Sequence, residues 1–161
     1  MKTYLVALAL SVLLCAQGMA QSETTGIFAT IKITKKHKAK DYGRRVSNRN
    51  HREVFLIPEK SLIALAEFTS VSATTHDLRT LTSYFSISVS KDGMARLRNT
   101  IIALPDTELI LVIDNQVFGR ISAKSEEDFK SNKITIASPF KDADLEWAQT
   151  TLSELLKPSE P

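Results

Sequence analysis

Cysteine is almost missing from this 161-residue chain, in which Cys15 stands alone. Cys15 lies in an N-terminal stretch expected to be removed, so the processed chain would carry no thiol. That excludes disulfides, a thiol nucleophile and a Cys-ligated metal. A fold exported without disulfides must rest on its core, and about 140 residues suffice for that. Long apolar runs are also lacking beyond the N-terminus, which excludes a polytopic membrane protein. No Gly-rich phosphate loop, no HExxH and no G-x-S-x-G occurs. What remains is ordinary globular material, 43% hydrophobic and 7% aromatic. Wholesale disorder is excluded by that composition, and two full domains with separate cores by the length.

The N-terminus reads as an export address. Lys2 supplies the positive start, Tyr4 to Ala16 is apolar, and Gly18 and Ala20 place small residues at −3 and −1 of a cut before Gln21. As a helix the apolar stretch would reach only about 20 Å across a hydrocarbon core of about 30 Å, which disfavours an anchor. Leu14 before Cys15 is not the small residue that lipidation needs. The expected organisation is a signal peptide at 1–20, an N-terminal strand and basic loop at 21–52, and a main domain at 53–161. The expected location is the periplasm or the medium.

Charge is segregated. Lys35, Lys36, Lys38, Lys40, Arg44, Arg45, Arg49 and Arg52 fall in eighteen residues with one acid, Asp41, for a net +7. The rest of the processed chain carries 12 basic and 17 acidic residues. With few apolar side chains apart from Tyr42 and Val46, the segment is expected to be an exposed, mobile loop, dispensable for folding. Its eight cations are the candidate contacts for an anionic partner: an acidic protein, lipid head groups, a polyanionic glycan or nucleic acid, the last disfavoured. The blander alternatives are a solvated loop or one folded back on the acidic body. His37 and His51 lie inside it without the fixed further ligands that a metal needs.

Periodicity supplies the elements. Ile27 to Thr34 alternates as a half-buried strand, with Ile27, Ala29, Ile31 and Ile33 on one side and Phe28 on the other. Glu53 to Ile57 is a second strand, closed by Pro58. Ser61 to Phe68 is ambiguous, with Leu62, Leu65 and Ala66 fitting a short helix before a β-like stretch from Thr69 to Thr74. Tyr84 to Ser90 puts Phe85, Ile87 and Val89 on one face. Ser90 then caps a helix whose stripe is Met94, Leu97, Ile101 and Leu104, stopped by Pro105. Glu108 to Ile113 is a central strand, Asp114-Asn115 a two-residue turn with φ > 0, and Val117 to Ile121 its partner. A surface loop from Lys124 to Lys133 and a strand from Ile134 to Ala137 precede a last helix, from about Lys141 to Leu156. Its stripe is Leu145, Ala148, Leu152 and Leu155, with Trp147 flanking. The fold class is α+β, one mostly antiparallel sheet with two helices packed on one face. The expected core is Phe85, Ile87, Val89, Leu97, Ile101, Leu109, Leu111, Ile113, Ile136, Leu145, Ala148 and Leu152.

From about Val54 onward the chain resembles the head of the first periplasmic domain of SecD, the auxiliary subunit of bacterial protein export. Tyr84 to Leu97 is similar to that domain's strand, Thr-Pro-Glu-Gly turn and helix start. Leu109 to Phe118 is similar to its AIVLDGKV hairpin, and Ile134 to Phe140, running into the helix with Leu145 and Ala148, to its ITGNF segment. Asn115 and Ser138 stand where the family has glycine, and the family's six membrane spans have no counterpart here. The resemblance implies a freestanding head domain that contacts polypeptide or an envelope protein, without catalysis; no cofactor and no metal are expected. A sheet edge or groove would supply the contact.

Two further constellations carry possible chemistry. His76-Asp77 beside serine-rich strands contains the residue types of a Ser-His-Asp triad, with nothing in the sequence to bring them together. Glu126, Glu127 and Asp128 form an acidic cluster without EF-hand spacing, better read as a solvated loop.

Overall fold

The computed structural model describes residues 24–31, 43–49, 51–121, 131–139 and 142–158. In chain order its strands are β1 (Gly26–Ala29), β2 (Arg44–Asn48), β3 (Val54–Ile57), β4 (Ile63–Ala64), β5 (Phe68–Val71), β6 (Thr75–Asp77), β7 (Thr82–Val89), β8 (Leu109–Ile113), β9 (Gln116–Ile121) and β10 (Lys133–Pro139). Helix α1 (Lys91–Ala103) lies between β7 and β8, helix α2 (Ala143–Leu155) follows β10, and a 3-10 turn at Leu65–Glu67 joins β4 to β5.

The class is α+β with mostly antiparallel pairing, but the strands divide into two sheets rather than one. The first runs β3-β2-β9-β8-β1-β4, and in it only β2 and β9 lie parallel. It is strongly curled. The Ile31 N–H, just past β1, donates to the Leu56 carbonyl of β3 at 2.8 Å, although three strands separate β1 and β3 in the sheet order. The five strands β1, β8, β9, β2 and β3 thus close into a small barrel. Its interior is filled by Phe28, Val46, Ile57, Ile110, Val112 and Val117, all 0–7% exposed. Both faces of β8 are therefore buried, as its continuous apolar run requires. The second sheet has β7 at its centre, β10 along one edge and β5 and β6 end to end along the other. Phe85, Ile87, Val89, Ile134 and Ile136 of this sheet meet Ile27, Leu109, Leu111 and Ile113 from the outside of the barrel. Met94 and Leu97 of α1 and Leu145, Ala148 and Leu152 of α2 complete the same core.

Local chemistry sets the connections. Asp114 and Asn115 both take positive φ, 49° and 64°, the hairpin turn their types allow. Ser90 caps α1 by accepting from the Gly93 N–H at 3.1 Å. Gly119 lies in β9 beside a bulge, where a Cβ would come within 2.9 Å of Ile136 Cγ2, so a side chain there would push β9 off β10.

Four further expectations need correction. The strand at Ile27 is buried on both sides, Ile27 and Phe28 each being 0% exposed, because one face lines the barrel and the other the main core. Arg44 to Asn48 is a strand rather than part of a loop, and Val46 is buried. Gly43 leads into it at φ +152°, where a Cβ would sit 2.0 Å from the Ile57 carbonyl oxygen. Ser61 to Phe68 holds a short strand and a 3-10 turn rather than a helix. In the expected core Ile101 is only partly buried, and Leu104, beyond the last turn of α1, is exposed.

Candidate functional site

An open groove of about 490 Å³ runs between the barrel and the start of α2. Topology assembles it from distant segments. The parallel register Ser47↔Gln116 and Asn48↔Val117 sets the end of β2 beside the start of β9, bringing Arg49 to the neighbourhood of Phe118. From the far side α2 presents its first turn. Asp142 caps that turn, its carboxylate accepting from the Asp144 N–H at 2.8 Å and from the Ser138 hydroxyl. Ser138 thereby anchors the helix cap.

The groove walls alternate aromatic faces and charges. Phe118 and Trp147 stack with centroids 4.7 Å apart and an interplanar angle of 24°. The Arg49 guanidinium lies 5.1 Å over the Trp147 ring and pairs with Asp144 at 2.7 Å. Across the groove Arg120 sits 5.6 Å over Phe55 and pairs with Glu53 at 2.8 Å and Glu108 at 2.7 Å. These ion pairs are well exposed, so each contributes little to stability and is easily exchanged for another partner.

Arg44 repeats the stacking at the other mouth of the barrel. Its guanidinium lies 5.4 Å over Phe28 and donates to the Asn115 side-chain oxygen in the β8–β9 turn. Of the eight predicted contacts for an anionic partner, Lys35, Lys36, Lys38 and Lys40 lie outside the described residues. Arg44 is half-buried at the barrel mouth, and Arg45, Arg49 and Arg52 are exposed, Arg49 on the wall of the groove. Glu126, Glu127, Asp128 and His37 lie outside the described residues. His51 is exposed, with Nδ1 2.9 Å from the Ser47 hydroxyl.

The register His76↔Ser83 does bring a histidine to a serine, with Nδ1 and Oγ 2.8 Å apart. Two facts oppose the triad reading. Ser83 is 1% exposed, so its hydroxyl cannot meet a substrate. The Asp77 carboxylate is committed to the following turn, where it accepts from the Arg79 N–H at 2.8 Å and from Thr80. Those donors hold it below the usual carboxylate range. Among the described residues no group of three or more His, Cys, Asp or Glu could hold a metal, and no helix is long and apolar enough to cross a membrane.

A second ionic cluster braces α1. Glu67 accepts from the Ala64 N–H at 3.1 Å, the Ser90 hydroxyl at 3.3 Å and the Arg96 guanidinium at 2.5 Å. Burial raises its pKa, but the Arg96 contact, the Ala64 N–H and the Ser90 hydroxyl outweigh that and hold it below the ordinary carboxylate value.

Sequence reasoning missed Phe55, Phe118, Arg120 and Trp147 as one constellation. No local spacing signals it, since the parallel pairing of β2 with β9 and the packing of α2 on β9 are what join its parts. Comparison with known protein families, curated proteins and solved structures finds no match to this chain.

Proposed function

We propose that the protein is an exported, non-catalytic binding module that takes a segment of polypeptide into the groove between the barrel and α2. One observation carries the reading: each groove arginine is laid on an aromatic ring and held by an exposed, exchangeable carboxylate. Such walls offer flat apolar contact to side chains and both signs of charge to a peptide, without the deep enclosure that a small molecule uses. The resemblance to the SecD head points to the same partner class, with a place in the bacterial envelope and a link to protein export. The signal-like N-terminus supports that location. The alternative is an anionic surface or polyanion held by the basic segment; Arg45 and Arg52, both exposed, favour it.

Trp147 is the only tryptophan in the chain and stacks on a wall of the groove, so its emission reports occupancy. Titration with a permanently unfolded, reduced and carboxymethylated polypeptide is expected to change that emission saturably. The change should persist when salt shortens the screening length to about 3 Å. Substituting Arg49→Ala together with Phe118→Ser should abolish it. A response that vanishes steeply with salt and survives the double substitution would favour the anionic reading. No response at any salt would refute the polypeptide reading.

A further inference from the structure

The β6–β7 hairpin ends in four residues, Leu78-Arg79-Thr80-Leu81, between the paired Asp77 and Thr82. Its two leucines are the most exposed large apolar side chains among the described residues, at 74% and 63%. The fold does not need them there. Polar contacts pin the loop: the Asp77 carboxylate accepts from the Arg79 and Thr80 N–H groups, and the Thr80 and Thr82 hydroxyls lie 2.7 Å apart. Leu81 also occupies the left-handed region, at φ +52°. Glycine or asparagine takes that conformation readily, whereas a leucine is strained in it. The chain thus keeps a strained leucine and an unburied one at a tip where folding rewards neither. Such a cost at one place is a pointer to use.

We infer that this tip is a lipid-contacting finger, which dips Leu78 and Leu81 into the interfacial layer of a bilayer and leaves Arg79 among the head groups. Size favours lipid over protein. A four-residue tip offers far less than the roughly 800 Å² per partner of a stable protein contact. A bilayer needs no matching shape, and partition grows with each apolar group inserted. The exposed Arg79 is the cation of the tip, so anionic head groups are preferred, modestly because Asp77 stands at the base of the same turn. Contact of this kind would hold the module at a membrane surface without a spanning helix.

The test places an environment-sensitive fluorophore at the tip of the full chain, on Thr80→Cys in a Cys15→Ser background. Vesicles of phosphatidylethanolamine and phosphatidylglycerol should shift the emission to the blue and raise it. Leu78→Ser and Leu81→Asn should each lower the apparent partition by about three- to tenfold. Leu81→Asn has a second readout: it relieves the positive-φ strain, so its denaturation midpoint should rise while its lipid response falls. That opposition cannot come from misfolding. No emission change with both leucines in place, or a change that survives the pair Leu78→Ser and Leu81→Asn, overturns the inference. Tip-dependent self-association in place of the vesicle response also overturns it, and assigns the leucines to a protein contact.

Discussion

Replacing Glu67 with alanine strikes the joint between the 3-10 turn and α1 at one atom pair. The carboxylate, 24% exposed, holds the Ala64 N–H, the Ser90 hydroxyl and the Arg96 guanidinium. Ser90 is also the N-cap of α1, and its N–H donates to the Glu67 carbonyl at 2.9 Å, so a slack side chain loosens the cap as well. A hydrogen bond to a charged group contributes about 1.5–3 kcal/mol. Arg96, at 48% exposure, sits in water enough that its pairing belongs nearer the surface range of about 0.2–1 kcal/mol. Ala64 and Ser90 can also recruit water. The expected loss for Glu67→Ala is therefore about 2 kcal/mol, and for Arg96→Ala under about 1 kcal/mol. Urea denaturation followed by Trp147 emission measures both, and the double substitution gives the coupling. The pH dependence has a definite sign. Because the folded pKa is depressed, the contribution is fully present above the unfolded value of about 4.3 and is lost as pH falls through the lower folded value. Glu67→Gln should thus be less stable than wild type at neutral pH and converge with it in acid. A loss below about 0.5 kcal/mol for Glu67→Ala, or a gap to Glu67→Gln that stays constant into strong acid, would refute the argument.

Leu111, 0% exposed in the middle of β8, should lose about 2–5 kcal/mol on change to alanine, read by the same denaturation; a loss under about 1 kcal/mol would make β8 peripheral. Gly43→Ala combines an unfavourable φ with a collision against the Ile57 carbonyl and should lower stability by about 2–4 kcal/mol. Arg44→Leu should destabilise measurably while Arg45→Leu stays within about 0.5 kcal/mol, since only Arg44 stacks on Phe28 and bonds the β8–β9 turn. Intact mass of the exported chain should correspond to a start at Gln21, and a lipid adduct on Cys15 would contradict it.

The sequence made legible those elements whose apolar pattern is complete within themselves. β7 alternates cleanly, β8 is apolar throughout, the Asp114-Asn115 turn has its own chemistry, and both helices carry a stripe. β2 was hidden because Arg-Arg-Val-Ser-Asn offers a single apolar residue, and its strand state comes from pairing with β3 and β9. Alternation places Phe28 on the solvent side, because it cannot distinguish water from the inside of a barrel on the second face. The groove was illegible for the same reason at larger scale: Arg49 and Phe55 lie far along the chain from Phe118 and Trp147, and meet them only through the β2–β9 pairing and the packing of α2 on β9. The charge excess was visible, but not that Arg44 and Arg49 would settle on aromatic rings.

The barrel's wiring bears on how the chain acquires its shape in time. β1 must find β8, with Gly26 opposite Val112, and β2 must find β9, with Ser47 opposite Gln116. The partners lie 86 and 69 positions apart in the chain, so the barrel cannot be complete until β9 has been made. Such non-local pairing makes folding slow. A chain emerging from the ribosome would therefore remain open through most of its synthesis, the state in which an exported polypeptide can be threaded through a membrane. For a chain exported as proposed above, closure would follow its passage.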